Sequence, residues 1–293
     1  MRRRFLAIVN PVSGPRDMIP LVRRIESALA KQGASLETMV TERKGDAKEM
    51  ARSASRQADA VLVVGGDGTV CEVVNGLMGQ GVPFLILGTG TENLLAREFA
   101  MPTNPESVAD RLLEGRPVPC DVGEVNGKRF LAMVGVGFDA ECLARMSRVR
   151  RGHINHLDYF WPIWRTFWSH RFPRLRVRVD GADVFQGRGM VFIGGISKYA
   201  AGLRILARAQ MDDGLLDVCV LPCEDKVRFL HRAMQLFMHR HLAEKQTVYV
   251  QGRAVQVESC DPDVEVPFQA DGDWGGKLPI HCKIFPAAVM ALR

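Results

Sequence analysis

The sequence has no long hydrophobic run. Its 293 residues contain no apolar stretch approaching the roughly 18 residues that a membrane-spanning helix requires. The basic start, Arg2–Arg4, is followed by a short apolar segment, Phe5–Val9, that stops at Asn10-Pro11 before it reaches the length of a signal-peptide core. We therefore expect a buried first strand here, not a targeting or membrane segment.

Cysteines in metal-binding or redox spacing are also absent. The seven cysteines are odd in number and include no Cys-x-x-Cys motif. A disulfide framework and a tetrathiolate zinc site are therefore not expected, and a reducing compartment, the cytoplasm, is expected. The sequence also lacks internal repeats and low-complexity linkers, and its length suits two domains.

The net charge is +6. A basic surface suits nucleic acid, an anionic membrane or a phosphorylated ligand, and charge alone does not choose among them. Because no nucleic-acid-binding motif accompanies the basic residues, nucleic acid is not an expected partner.

The first part of the chain alternates short apolar strands with amphipathic helices. We expect strands at 5–9, 36–40, 61–64 and 84–87, and helices at 18–33 (capped by Asp17), 46–57 and from residue 70. This order predicts an α/β fold with a doubly wound parallel sheet, which binds ligands beyond the carboxyl ends of its strands. Three polar, glycine-containing segments fall at such ends and are expected to form one crevice: Asn10–Gly14, Gly65–Thr69 and Gly88–Asn93.

The pattern changes after about residue 120. Asn126-Gly127 is a hairpin signal, and strands with few helices between them are expected at 130–136, 174–179, 190–193, 215–221, 247–250 and 254–258. These strands favour a mostly antiparallel, β-sandwich-like second domain. We place the α/β domain at residues 1–121, with the tail 284–293 returning to it, and the β-rich domain at 122–283.

The segment Gly65-Gly66-Asp67-Gly68-Thr69 carries the sharpest chemical signal. Glycines let backbone N–H groups approach an anion, and the following helix presents its positive end. Asp67 adds a carboxylate where Mg²⁺ on ATP would sit, and Thr69 can cap the helix or bond a phosphate. No lysine follows the glycines, so this is not a Walker A loop. The alternative is a strand-to-helix turn with a capping aspartate.

Several segments together resemble the catalytic domain of diacylglycerol kinases, a family that includes sphingosine and ceramide kinases. They occur in the family's order: Asn10–Gly14, Thr41 with Gly45-Asp46-Ala47, Gly65–Thr69, Gly90–Asn93, Asp212–Asp217 and Asp271–Pro279. The glycine loop alone is shared with NAD kinases and phosphofructokinases, but the ordered set is specific and spans nearly the whole chain. The resemblance, closest to soluble bacterial lipid kinases, implies an NAD-kinase-like nucleotide domain followed by a lipid- and metal-binding domain.

The resemblance also implies the site residues. Positions that contact the nucleotide would be Asn10, Pro11, Ser13, Gly14, Thr41, Gly65, Gly66, Asp67, Gly68, Thr69, Thr91 and Asn93. A structural Mg²⁺ site is implied at Asp213, with backbone carbonyls near Gln210 and Leu215. Without the resemblance, Asp212-Asp213-Gly214 is better interpreted as a turn before a strand.

Two positions depart from the family pattern. Asp273 stands where the family carries a glutamate, the base for the lipid hydroxyl; aspartate is one methylene shorter, and a misplacement of about 1 Å can lower a rate on the order of a hundredfold. Asp271 is the reserve candidate for the base, and a surface turn is the other interpretation. The second departure is Glu92-Asn93-Leu94, where many relatives carry glycine or another small residue followed by Asn-Asp. Asn93 is retained, but Leu94 replaces the aspartate, which would alter substrate or nucleotide contacts or the cap of the following helix.

Residues 145–178 are rich in arginine and aromatic residues: Arg148, Arg150, Arg151, Trp161, Trp164, Phe167, Trp168 and Arg171. Such mixtures suit a membrane interface. The alternative, favoured for most of these residues, is a packed helix with a solvated basic face. His153 and His156 lack a carboxylate or cysteine at ligand spacing, so a metal site there is not expected.

The combined expectation is a cytoplasmic, ATP- and Mg²⁺-dependent lipid kinase that associates peripherally with the inner face of the membrane. The alternatives are an NAD kinase-like enzyme and a non-catalytic lipid- or nucleotide-binding relative. A homodimer is left open, and the sequence does not identify the lipid.

Overall fold

The structure is a computed structural model that describes residues 3–14, 18–54, 57–149 and 160–293. Its contacts divide the chain into two units, Met1–Val122 with Pro286–Arg293, and Gly123–Phe285. Two long strands, β5 (Pro117–Val125) and β15 (Ile280–Leu292), each contribute residues to both units. Asp17, the expected cap of the first helix, lies outside the described residues.

The first unit is built on a parallel sheet. Its strands are β1 (Arg4–Val9), β2 (Ser35–Val40), β3 (Ala60–Gly65) and β4 (Pro83–Gly88), in the order β2-β1-β3-β4, with the end of β15 parallel to β4. All of β3 and residues 5–9 of β1 are buried, as expected for strands covered on both faces. The predicted α/β class is therefore confirmed.

Five helices accompany this sheet: α1 (Ile19–Lys31), α2 (Asp46–Ala54), α3 (Asp67–Leu77), α4 (Leu94–Glu98) and α5 (Pro105–Glu114). Helix α1 packs against α5, and α2 packs against α3. Pro20 lies in the first turn of α1, where its fixed φ suits a helix start and its missing N–H leaves no bond unmade. Each of the first three strands thus leads through a loop into a helix, which places three loops at the carboxyl ends of the strands.

The second unit is antiparallel. Besides β5 and β15 it contains β6 (Lys128–Phe130), β7 (Met133–Val136), β8 (Arg174–Val179), β9 (Ala182–Gly194), β10 (Leu216–Pro222), β11 (Val248–Gly252), β12 (Ala254–Ser259), β13 (Pro267–Ala270) and β14 (Asp273–Lys277). The first half of β9 pairs with β8, which continues to β12 and β15. Its second half pairs with β7 and β10, which continue to β13-β14 and β11. The two halves of β9 thus belong to two sets of paired strands. Valines and isoleucines from both sets form one core, so this unit is the predicted sandwich.

The prediction of one continuous strand at 130–136 is wrong, because the structure has two strands there, β6 and β7, with Leu131 and Ala132 between them. The carboxylate of Asp271 accepts the backbone N–H groups of Leu131, Ala132 and Met133 at 2.7, 2.8 and 2.9 Å, and so competes with ladder hydrogen bonds there. The hairpin signal at Asn126-Gly127 is confirmed: both residues have positive φ between β5 and β6.

Among the described residues of the second unit, three α-helices interrupt the strands: α6 (Phe138–Val149), α7 (Phe160–Ser169) and α8 (Lys226–Phe237). Helix α7 occupies part of the arginine- and aromatic-rich stretch, whereas Arg150 and Arg151 lie outside the described residues. Within the described residues, no helix combines the length and apolar character that spanning a membrane requires.

Candidate active site

The three predicted turns of the first unit are in contact. Asn10 Nδ2 donates to Thr69 Oγ1 at 2.9 Å, which joins the turn after β1 to the start of α3. Thr89 Oγ1 donates to Ser13 Oγ at 3.1 Å, which joins the turn after β4 to the turn after β1. The sequence prediction that these segments come together thus agrees with the geometry.

Close backbone approach explains two of the glycines. Gly14 has φ +94°, and a Cβ there would overlap the carbonyl oxygen of Thr89. A Cβ on Gly90 would lie 2.9 Å from the Cα of Gly66, closer than real side chains approach. Larger residues would therefore push the turns apart, and the glycines keep backbone amides of neighbouring turns close together.

Asp67 connects the turn after β3 to the turn after β4. It is the first residue of α3, whose N-cap, Gly66, makes no side-chain cap. Its two carboxylate oxygens accept the backbone N–H groups of Leu94 and Leu95, each at 3.1 Å, at the start of α4. Asp67 therefore caps the start of α4, the helix that follows its own.

Asn93 shapes the third turn. It adopts φ +48°, and its side-chain amide accepts from the N–H of Gly90 at 2.7 Å and donates to the carbonyl of Gly90 at 2.8 Å. Thr91 is exposed on this turn. The departure at Glu92–Leu94 therefore lies at the start of α4. Position 94 has no aspartate, but the carboxylate of Asp67 accepts the first N–H groups of α4.

The other predicted contacts surround these turns. Thr41 is buried beside the end of β1, where its N–H donates to the carbonyl of Val9 at 2.9 Å. Pro11 and Gly68 are exposed. The first amides of α3 are those of Asp67, Gly68 and Thr69, so the positive end of this helix lies in the glycine segment. An arrangement of backbone amides, hydroxyls and a helix N-terminus suits phosphate oxygens.

In the second unit, the turn between β13 and β14 carries both candidate bases. Asp271, at φ +51°, uses both carboxylate oxygens to accept the three N–H groups of residues 131–133. Asp273 is the first residue of β14 and is exposed. The two aspartates therefore differ in role: Asp271 holds the backbone, and Asp273 presents its carboxylate at the surface.

The sequence did not predict a buried carboxyl, that of Asp139, which is connected to this turn through Gln269. Asp139, in the first turn of α6, accepts hydrogen bonds from the Tyr199 hydroxyl and from Gln269 Nε2, the latter at 2.9 Å. Burial raises the pKa of Asp139, which favours its protonated form. Gln269 Oε1 in turn accepts the N–H of Gly272 at 2.8 Å. A carboxylate just after the apolar segment 133–138 was the available signal, but its partners are distant in sequence.

The predicted Mg²⁺ position lies at the turn before β10. Asp213 is exposed; its Oδ1 accepts the N–H of Leu215 at 2.9 Å and its Oδ2 accepts from Gln251 Nε2 at 3.1 Å. Nearby Asp217 is buried, accepts the Tyr249 hydroxyl at 2.6 Å, and has its pKa raised by burial. One carboxylate with the backbone carbonyls at Gln210 and Leu215 offers only oxygen ligands, the type that Mg²⁺ prefers.

No cluster of three or more histidine, cysteine, aspartate or glutamate residues suited to a metal occurs in the part of the chain that the structure describes. The Mg²⁺ site at Gln210, Asp213 and Leu215 does not need such a cluster, and it stays a prediction. His153 and His156, for which no metal site was expected, lie outside the described residues.

Comparisons with known proteins define the family. A model of the diacylglycerol kinase catalytic domain matches residues 4–125. A model described as the YegS C-terminal NAD kinase beta sandwich-like domain matches residues 132–293. The chain belongs to the diacylglycerol kinase catalytic-domain family, and this membership supports a lipid kinase.

Individual relatives extend over the whole length. A diacylglycerol kinase of Mycobacterium tuberculosis is 30% identical over 98% of this chain and 94% of its own. One from Bacillus subtilis is 28% identical over 94% and 92%. A crystal structure of a diacylglycerol kinase from Bacillus anthracis str. Sterne covers 99% of this chain and 96% of its own with a TM-score of 0.72 and 20% identity, a likeness of fold.

Proposed function

We propose that this chain is an ATP-dependent kinase that transfers the γ-phosphate to the hydroxyl of a membrane lipid, diacylglycerol or a similar lipid alcohol. The contact of three glycine-bearing turns in the first unit carries the proposal. These turns offer backbone amides, hydroxyls and a helix N-terminus to a triphosphate. The relatives whose printed name is diacylglycerol kinase favour a lipid as the acceptor.

Phosphoryl transfer needs mainly positioning and neutralisation of charge. In the proposed reaction, the turns at Asn10–Gly14 and Gly65–Thr69 orient the phosphates of ATP. Asp67 holds the third turn in register through its bonds to Leu94 and Leu95. Asp67 would hold Mg²⁺ with the phosphates, and this ion would supply the positive charge that these turns lack; the Mg²⁺ site implied at Asp213 would be structural. Asp273 accepts the proton of the lipid hydroxyl as the hydroxyl oxygen forms a bond to the γ-phosphorus; the bond from that phosphorus to the β,γ-bridging oxygen breaks, and ADP leaves.

The substrate sets the location that we propose. A diacylglycerol stays in the bilayer, so the chain acts as a peripheral protein at the inner face of the membrane. The cytoplasmic location predicted from the cysteines suits an enzyme that uses cytoplasmic ATP.

The decisive experiment supplies radiolabelled ATP and Mg²⁺ to the purified chain with a panel of acceptors. The panel contains diacylglycerol, a polyprenol, a sphingoid base, a glycolipid and NAD, and products are separated by chromatography. Labelled diacylglycerol or another labelled lipid, lost in Asp67→Ala, supports the proposal. Label on NAD alone overturns it in favour of an NAD kinase, and binding of ATP and lipid without transfer identifies a non-catalytic relative.

A further inference from the structure

Helix α8 of the second unit carries two apolar faces. One face packs inward: Phe229 lies 4.5 Å from Phe138 between ring centroids, and Arg232 and Leu236 are buried. The opposite face has apolar side chains at helical spacing that are all more than half exposed: Val227, Leu230, Met234 and Phe237, followed by Met238. An outward apolar stripe of this kind marks an interaction surface.

Helix α7 extends this surface with tryptophans. Trp161, Trp164 and Trp168 are about half exposed or more, at 64%, 46% and 57%, and Ile163 is exposed beside them. Lys226 joins the two helices, because its Nζ donates to the carbonyl oxygen of Trp168 at 2.8 Å and lies 4.8 Å from the centroid of that ring. The exposed apolar residues of α7 and α8 therefore form one surface, which we call the α7–α8 face.

The charged residues within the two helical segments have one sign. Residues 160–171 and 226–240 contain no aspartate or glutamate, and their basic residues outside the buried Arg232 are Arg165, Arg171, Lys226, Arg228 and Arg240; Glu224 and Asp225 are exposed just before α8. A two-fold contact with a second copy would bring these basic side chains against each other. An anionic bilayer complements them, and tryptophan suits the headgroup level of a membrane.

We propose that the α7–α8 face docks on an anionic lipid bilayer, with the tryptophans of α7 and the outward stripe of α8 inserted at the headgroup level and the arginines and lysine on lipid phosphates. The proposal rests on the proposed function in that docking brings the chain to a membrane-embedded acceptor. Docking itself requires neither ATP nor the acceptor lipid, so it can be measured alone.

The first experiment is sedimentation of the full chain with vesicles of phosphatidylcholine alone or with 30% phosphatidylglycerol, without ATP. We expect binding to the anionic vesicles that weakens with salt. The double variant Leu230→Gln/Phe237→Gln should lower it by about 100-fold, because each exposed apolar side chain contributes about tenfold on insertion. Val264→Gln is the control, because Val264 is an exposed apolar residue of the same unit outside α7 and α8 and should leave binding unchanged.

A second measurement locates the tryptophans. The chain has four tryptophans, so a Trp274→Phe background leaves only those of α7. Quenching of their fluorescence by brominated acyl chains in anionic vesicles supports docking. Unquenched emission from bound protein, or equal vesicle binding by the double variant and the wild type, overturns it. So does a dimer by sedimentation velocity that the double variant converts to monomers.

Catalysis separates this inference from the proposed function. If both hold, the double variant loses turnover on long-chain diacylglycerol in anionic vesicles but keeps it on a dispersed short-chain diacylglycerol. If wild type binds vesicles through this face yet phosphorylates no lipid, docking stands and the kinase proposal fails. If the double variant loses both reactions equally with an unchanged melting temperature, the docking role is overturned.

Discussion

Replacing Asp67 by asparagine separates two roles that the carboxylate can have. In the structure its oxygens accept the N–H groups of Leu94 and Leu95 at 3.1 Å each. Asparagine keeps one acceptor and turns an N–H₂ group toward the other N–H. The loss of one hydrogen bond to a charged acceptor is worth about 1.5–3 kcal/mol. Loosening of α4 alone can therefore lower turnover by no more than roughly 10- to 150-fold.

A role in phosphoryl transfer predicts a much larger effect. Removing a charged group from such a site lowers turnover by about 1,000-fold or more. The assay is phosphate transfer from radiolabelled ATP to diacylglycerol in mixed micelles, with the melting temperature measured in parallel. We expect Asp67→Asn to lose at least about 1,000-fold in kcat while its melting temperature falls by only a few degrees, since about 1 kcal/mol shifts a domain of this size by a few degrees.

Asp180→Asn is the matched control. Asp180 also accepts two neighbouring backbone N–H groups, those of Arg253 and Ala254, but it lies in the second unit. The control should show a similar loss of melting temperature and near-normal turnover. If Asp67→Asn keeps turnover within about 150-fold of wild type, loss of its hydrogen bonds to α4 accounts for the whole effect and the reasoning fails.

Three further predictions use other parts of the chain. Asp273→Asn should lower kcat by about 100- to 10,000-fold without changing the KM for ATP, whereas Asp271→Asn should mainly lower the melting temperature, since its carboxylate accepts three backbone N–H groups. Gly14→Ala should raise the KM for ATP at least about tenfold, because the methyl group overlaps the Thr89 carbonyl; Gly33→Ala, also at positive φ but with open space, should leave KM unchanged. The hydrogen bond from His170 at 2.6 Å holds the pKa of Glu141 below its ordinary 4.5, so this pair stabilises the fold fully above pH 4.5 and loses this effect as pH falls through the lowered pKa; Glu141→Gln should therefore lower the melting temperature at pH 7, and by progressively less as pH falls below 4.5.

Each of these predictions has an outcome that contradicts it. Full activity of Asp273→Asn would remove Asp273 as the base. Equal KM values for Gly14→Ala and Gly33→Ala would show that the contact between the two turns does not matter for ATP. A melting difference for Glu141→Gln that does not shrink as pH falls below 4.5, or that equals the effect of Glu224→Gln at an exposed glutamate of the same unit, would contradict the assignment to the His170 pair.

The parallel sheet was predictable because its strands are continuous apolar runs. Residues 61–64 and 84–87 are apolar runs too short for a buried helix, so they predict strands, and a polar, glycine-containing segment follows each of them. The contact between Asn10 and Thr69 follows from this order alone, since carboxyl ends of parallel strands share one edge. Local pattern was therefore sufficient wherever one strand, one turn and one helix succeed each other.

Other features depend on partners that are distant along the chain. Nothing near Asp67 indicates that it holds Leu94 and Leu95, and nothing near Phe130 indicates that Asp271 interrupts the strand there. The outward stripe of α8 has helical spacing, but spacing does not say which face meets solvent when both are apolar. These facts arise from tertiary contacts, which propensity and periodicity do not encode.

The route of β15 has a consequence for biosynthesis. Residues 286–293 belong to the first unit, where Met290 and Ala291 pair with Pro83 and Phe84 of β4, and Arg293 exchanges backbone hydrogen bonds with Arg116. A ribosome makes this segment after β4 and after the other strands of the second unit, so the edge of β4 stays open while that unit is synthesised. A gene cut before residue 286 would leave that edge permanently unpaired and ready to join a neighbouring chain.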